Sequence, residues 1–335
     1  MLIAAFAVAL VAAFALMPLG IRLAWVTGWL DHPEARKLHT SATALLGGVV
    51  VAVAAIAGWL VALHLDHRLA TPGPSMKWLM AGAGVCLAFG VWDDRFGMGV
   101  RLKLFGQLLA GACLLAAGVV PAPTLSWWIV VPVMMFGLVA LLNAINFLDN
   151  MNGMIGGLTA VFMLAFAWGS AARGAYEIAA AQLAVAGACA GFLPWNFPKA
   201  SIFLGDAGSL FLGYSLGASA VLAFAGTPAG WGRVGTLAAL AYPAFDIIFV
   251  VITRLADGRK VQQGGKDHSN HRLARLIQCP TRTVMLLWLS GAVLCASGLV
   301  VQSLDRPLPT LLWLGLWMAL FLWMGRRLSS VPSGA

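Results

Sequence analysis

The sequence predicts an all-α polytopic membrane protein of about eleven transmembrane helices, and three observations carry that prediction. Of the 335 residues, 61% are hydrophobic and 10% charged, whereas an ordinary soluble domain carries about 25% charged residues. The apolar residues gather into eleven stretches, which at roughly 20 residues per span would occupy about 220 residues and leave little for a separate soluble domain. The basic excess, 21 Lys and Arg against 12 Asp and Glu for a net +9, is scattered between those stretches. It therefore reads as topology and as attraction for anionic lipid or substrate, not as a nucleic-acid surface.

The first stretch, 2–21, has no Lys or Arg before it and Arg22 after it, the reverse of a cleavable signal. It is expected to remain as a helix with its N-terminus outside. The others follow at 45–65, 76–92, 104–120, 125–142, 154–171, 178–193, 209–225, 234–252, 284–301 and 310–324. Alternating these spans puts Arg22, Arg36, Lys37, Arg95, Arg101, Lys103, Lys199, the basic residues of 254–282, Arg326 and Arg327 on one side. That is 16 of the 21 basic residues, with Arg68, Lys77, Arg173, Arg233 and Arg306 opposite. The positive-inside rule makes the richer side, and the C-terminus, cytoplasmic.

The outer connections at 121–123 and 226–232 are short and nearly free of acids, which suits turns. Inner loops near 22–44, 93–103, 143–153, 194–208 and 254–282 collect Asp31, Glu34, Asp93, Asp94, Asp149, Asp206, Asp257 and Asp267 with His32, His39, His268 and His271. Any catalytic site is expected there, within a single domain spanning 1–335. Cys86, Cys113, Cys189 and Cys295 lie inside apolar runs and only Cys279 near water, so neither a disulfide nor a zinc site is expected. Gly187 with Gly191, and Gly213 with Gly217, have the spacing that lets helix backbones approach in a bilayer, although glycine is common in such helices.

Six features carry chemistry, each with a plainer alternative. Asp93-Asp94-Arg95 sets two carboxylates side by side, a conflict that a divalent metal would remove, or it is a solvated pair ending a helix. Arg101 and Lys103 offer cations to phosphate, or anchor the chain at the lipid surface. Asn143, Asn146 and Asp149 share a helical face that could read a base edge or help hold a metal, or the stretch to Asn152 and Gly153 is a capping turn. Gly205-Asp206-Ala-Gly208-Ser209 frames one carboxylate with two glycines, suiting a metal ligand close to a diphosphate, and also suits a helix N-cap. In Asp267-His268-Ser-Asn-His271-Arg272-Leu273, two imidazoles and a guanidinium fall within reach of one anion, or form a basic loop at the lipid surface. Asp246, inside the ninth stretch beyond Pro243, is functional by default or a satisfied structural carboxylate.

In this order, Asp31-His-Pro-Glu-Ala-Arg36-Lys37-Leu-His39, Asp93-Asp94-Arg95, Asn143 to Met154, Gly205 to Ser209, Pro243 to Arg254 and Asp267 to Leu273 resemble the polyprenyl-phosphate N-acetylhexosamine-1-phosphate transferases. This is glycosyltransferase family four, and the match spans nearly the whole chain. The resemblance implies a bacterial inner-membrane enzyme of cell-envelope polysaccharide synthesis, such as lipopolysaccharide or cell wall. Such an enzyme moves HexNAc-1-phosphate from a UDP-N-acetylhexosamine to undecaprenyl phosphate at the cytoplasmic face and releases UMP. Its cofactor would be Mg2+, with Mn2+ as the alternative, and it could form a homodimer.

By position, Asp206 and Asp94 are the implied metal ligands, and Asp93, Asp94, Asp206, His268 and His271 the catalytic set. Asn143, Asn146, Asp149, Asn152, Lys103 and Arg272 are the implied binding residues. The form of the histidine loop is similar to the branch that starts O-antigen or teichoic acid with GlcNAc-1-phosphate. Where many members read Asp-Gly-x-Asp-Gly, this chain has Asp149-Asn150-Met151-Asn152-Gly153, and Asn270 stands where a further histidine is common.

The expected mechanism is direct attack by the lipid phosphate, much of it already a dianion at neutral pH because its second pKa lies near about 6. The metal offsets anion repulsion, and a covalent aspartyl intermediate is the lesser option. The rivals are a lipid flippase or secondary transporter and a catalytically inactive lipid-glycan binding homologue. The acids crowd one face and no internal repeat is visible, both of which count against transport.

Overall fold

A computed structural model describes residues 1–32, 42–66, 74–121, 126–260 and 265–332. Glu34, Arg36, Lys37 and His39 of the first motif, with Arg68, Pro123 and Gly264, lie outside the described residues. All eleven apolar stretches fall on helices: α1 Leu2–Thr27, α2 Gly47–Leu65, α3 Pro74–Phe96, α4 Val100–Ala116, α5 Trp127–Leu148, α6 Met154–Ala172, α7 Tyr176–Asn196, α8 Gly205–Gly226, α9 Ala238–Ala256, α11 Pro280–Leu304 and α12 Pro307–Ser329. Among the described residues one further α-helix, α10 Ser269–Ile277, lies in the connection between α9 and α11.

Among the described residues ten helical segments are long and apolar enough to cross a membrane, against the eleven expected. The exception is α4, whose 17 residues extend only about 26 Å at about 1.5 Å per residue, short of a hydrocarbon core of about 30 Å. The helices also run past the apolar stretches into the polar motifs. Asp93 and Asp94 close α3, Asn143 and Asn146 belong to α5, and Asp206 sits in the first turn of α8. Residues expected in loops are thereby held on rigid elements.

The chain divides into two compact units. Unit 1 holds α1 to α8 and a two-residue antiparallel pair in which β1 Leu30–Asp31 faces β2 Thr43–Ala44, Leu30 opposite Ala44. A parallel bridge joins Ala44 to Ile202, just before α8. Unit 2 holds a 3-10 turn, Trp231–Leu237, followed by α9 to α12.

Lipid supplies no hydrophobic drive between helices, so close packing of small residues must hold unit 1 together. Gly187 and Gly191 on α7 lie against the α1 backbone, where an added Cβ would strike the carbonyl oxygens of Phe6 and Leu10. Gly213 and Gly217 on α8 face α5, with Leu138 Cδ1 2.6 Å from a Cβ built at Gly217. At the other end of α8, Gly48 on α2 meets the backbone of Gly208, and Gly90 on α3 meets the backbone of Asp206 and Ala207. The first turn of α8 is thus seated against two helices with no side chain between. Leu311, Leu312, Leu316 and Met318 on α12 are exposed, as befits a helix whose solvent is hydrocarbon.

Gly90→Leu is expected to lower the thermal midpoint of detergent-purified protein and reduce its yield, because α3 would have to leave α8. Gly84→Ala on the same helix, with nothing within 4 Å of its Cβ, should be neutral or stabilise by up to about 1 kcal/mol. Equal effects of the two substitutions would contradict this packing.

Candidate active site

The centre of unit 1 is built on a helix start. The first amides of an α-helix have no partner within the helix and carry its positive end. In α8 the amides of Asp206 and Ala207 donate to the two carboxylate oxygens of Asp94, at 2.7 and 3.0 Å. The cap comes from another helix. It fits because Gly90, one turn earlier on α3, lets the backbones touch, and because Gly205 carries no side chain. A Cβ there would stand 2.5 Å from Asp94 Oδ2, at a φ of +73° that itself favours glycine.

With α8 so fixed, Asp206 projects beside Asp93 and Lys103. Lys103 Nζ lies 2.9 Å from Asp93 Oδ2, 3.3 Å from Asp206 Oδ2 and 3.3 Å from Asn146 Oδ1. The Asp93 and Asp206 carboxylates are themselves close enough to share a hydrogen bond. Asn146 Nδ2 donates to Asp206 Oδ1 and, at 2.8 Å, to Ser209 Oγ, while Asp93 Oδ1 accepts the Met98 amide at 2.7 Å. Two carboxylates and an amide oxygen therefore meet at one ammonium, and the Asp206 side chain stays 31% exposed.

Besides the Lys103 and Asn146 nitrogens, the cluster around Asp206 holds the oxygens of Asp93 and Asn146, and carboxylate and amide oxygens suit a hard divalent cation. Among the described residues no three His, Cys, Asp or Glu side chains converge as a metal cage. Mg2+ is commonly held by fewer protein groups, one or two carboxylates plus waters and substrate phosphates. Asp206 and Asp93 are the two carboxylates that meet here, at Lys103. Asp94 has both oxygens on the α8 amides.

The other residues expected to bind substrate spread outward from this cluster. Asp149 is the C-cap of α5, and burial, followed by the nearby Asp206 charge, pushes its carboxyl up to about 7. Asn143 turns away and donates to Gln107 Oε1 at 3.1 Å and to its own helix. Asn152 donates to the Pro198 carbonyl at 3.1 Å, and the next amide, Gly153, donates to Asn196 Oδ1 at 2.6 Å. The amide that stands where a carboxylate is usual thus ties the 149–153 turn to the connection before α8. Arg95 donates to the Thr27 and Gly28 carbonyls at 3.2 and 3.3 Å and lies over the Trp29 ring, closing the end of α1.

Ser209, Gln107 and Asn196 were not among the expected site residues. Gln107 had a legible signal, a single amide inside an apolar run; Asn196 is one polar residue among many at a helix end.

Unit 2 carries His268 and His271. His268 precedes α10 and His271 lies in its first turn. Buried Asp246 on α9 fixes this start: it meets His268 Nδ1 at 2.7 Å and accepts the Ser269 amide and hydroxyl at 2.8 and 2.6 Å. Asp267 is gripped by Arg254 through two bonds of 2.9 and 2.7 Å and by Arg259 at 3.1 Å. Burial opposes the Asp267 charge, but Arg254, then Arg259 and His268, outweigh it and hold the carboxyl down at about 2. Burial, with His268 and Arg275 nearby, pushes His271 down to about 4, so at neutral pH it is a hydrogen-bonding group and not a cation. Arg272 is buried, its Nε on the Asp267 carbonyl at 3.1 Å.

Residues 76–224, which contain the whole unit 1 cluster, match the sequence profile of glycosyl transferase family 4. A probable undecaprenyl-phosphate N-acetylglucosaminyl 1-phosphate transferase of Bacillus subtilis (strain 168) is 27% identical over 96% of this chain and 88% of its own length. The phospho-N-acetylmuramoyl-pentapeptide-transferase of Desulforudis audaxviator is 30% identical over 88% of this chain and 95% of its own. A decaprenyl-phosphate N-acetylglucosaminephosphotransferase of Mycobacterium leprae is 30% identical over 77% and 73%.

Asp94→Ala is expected to cost about 1–2 kcal/mol, the range of a lost helix cap, read as a lower thermal midpoint; Asp94→Asn, which keeps one acceptor, should cost less. Acid should also weaken unit 2. Asp267, held at about 2 against an ordinary 3.8, contributes stability present above 3.8 and lost as pH falls toward 2. His271, held at about 4 against 6.5, is protonated more readily in the unfolded chain, so stability falls as pH drops from 6.5 to 4. His271→Gln should flatten that upper window, on the order of 3 kcal/mol, in thermal midpoints taken from pH 7.5 to 4.5; an unchanged slope would contradict it.

Proposed function

Because this chain belongs to glycosyl transferase family 4, and its relatives named above are polyprenyl-phosphate or related phospho-sugar transferases, we propose that it transfers HexNAc-1-phosphate from a UDP-sugar to undecaprenyl phosphate. GlcNAc-1-phosphate is the favoured group, UMP the leaving product, and the cytoplasmic face of the bacterial inner membrane the place. The observation that carries this reading is the Asp206 carboxylate, fixed in the first turn of α8 by the Asp94 cap and Asn146, and set beside Asp93 and Lys103.

The chemistry must bring a phosphate dianion against a diphosphate. An oxygen of the lipid phosphate bonds to the sugar-bearing phosphorus, the bond from that phosphorus to the bridging oxygen breaks, and UMP leaves with the electron pair. The nucleophile is ionised near neutral pH, so charge, not proton removal, is the obstacle. Mg2+ held by Asp206 and Asp93 would supply Lewis-acid neutralisation of the diphosphate. Lys103 places a second positive charge within the same cluster, and Asn146 keeps Asp206 in one orientation through its paired bonds to Asp206 and Ser209. Asp149, at the end of α5, serves the nucleotide side. For unit 2 we assign His268 and His271 to binding the anionic substrate; Asp246 supports this by fixing the His268 ring in one orientation.

Purified protein given labelled UDP-GlcNAc, undecaprenyl phosphate and Mg2+ should form the lipid-linked product and UMP, with EDTA abolishing and Mg2+ restoring turnover. Asp206→Asn is expected to lower kcat by about a thousandfold, the scale of a lost electrostatic contact to the reacting group, while the protein remains extractable. Full activity in that variant would remove Asp206 from the site. Vectorial movement of lipid in sealed liposomes without transfer would point to a transporter instead.

A further inference from the structure

Arg272 is directed inward. Its Nη1 lies 3.2 Å from the Leu328 carbonyl oxygen, 3.4 Å from that of Ser329 and 2.9 Å from that of Val331, and its guanidinium sits 5.2 Å over the Phe249 ring. The residue is 3% exposed. These acceptors are the end of α12 and the segment after it, where carbonyls have no helical partner and the helix dipole favours a cation. One turn on, Arg275 donates to the Pro332 carbonyl and, at 2.8 Å, to that of Lys266. Both arginines thus join residues 266–267, which lead into α10, to residues 328–332. Leu273, between them, packs on the cluster of Phe249, Val250 and Leu328. His268 and His271 ride on the helix held in this way.

We propose that Arg272 is a positioning residue, and that residues 328–332 belong to the working site as its anchor. Their backbone carbonyls, gripped by Arg272 and Arg275, set where α10 places His268 and His271. This rests on the reading of those histidines as substrate-binding groups. It gives the segment after α12 a part in transfer through its backbone carbonyls.

The test compares the full chain with a chain ending at Ser330, Arg272→Lys, and the two combined, with Arg275→Gln as a milder probe. Amide hydrogen exchange over 268–277 should quicken about tenfold or more in each, while α6 to α8 stay protected, which shows that the fold survives. In the transfer assay, truncation and Arg272→Lys should each lower kcat/KM about tenfold, and the combined variant should be little worse than the poorer single, because both loosen the same anchor between α10 and residues 328–332. The proposal is overturned if truncation leaves exchange or kcat/KM unchanged, or if the two losses multiply. Loss of kcat/KM on Arg272→Lys alone would instead make Arg272 a direct substrate ligand. Should the full chain transfer nothing, the functional reading fails, and hydrogen exchange still decides whether the anchor exists.

Discussion

A carboxylate from one helix capping the start of another is the contact on which the polar cluster of unit 1 depends. Asp94 satisfies two amides that α8 cannot satisfy itself, and in doing so it fixes the first turn from which Asp206 projects. Remove it and those amides lie partly buried without partners, the costliest state for a backbone donor. Gly90, Gly205 and Gly48 serve this contact by absence: none has a Cβ to hold α3, Asp94 or α2 away. The acidic pair at the end of α3 is therefore two residues with separate tasks, Asp94 turned to the helix and Asp93 to Lys103.

That division shows what the sequence could and could not disclose. The spans were legible because hydrocarbon permits little but long apolar runs, and α4 missed only in length. The motifs were legible as concentrations of acid, amide and histidine on one side of the chain's alternation. Which neighbour each side chain would choose was not. Asp93 and Asp94 are identical as letters and differ by about 100° around a helix, a distinction that acquires meaning only once α8 is beside them. Asn152 likewise reads as a lost charge, yet its amide holds the turn before α6 to the Pro198 carbonyl. Gly187 and Gly191 were legible as small; that they face α1 was not.

Unit 2 is organised differently. Its polar residues are buried and paired, with Asp267 between two arginines, Asp246 on His268 and Ser269, and Arg272 on the end of α12. The histidine motif reads from sequence as positive charge offered to an anion, but burial keeps His271 neutral near pH 7. Hydrogen-bond direction, more than net charge, is what that residue can contribute.

The glycine groove of α7 has a consequence for biogenesis. The glycines that receive one side of α1 lie on a helix made more than 150 residues later, so on emerging from the ribosome α1 finds only α2, whose Gly58 meets Ala5 and Ala9. That pair must wait in the bilayer until α7 is threaded in. A lesion at Gly187 would then register as a defect of assembly and turnover by quality-control proteases, with the chemistry of the mature enzyme never reached.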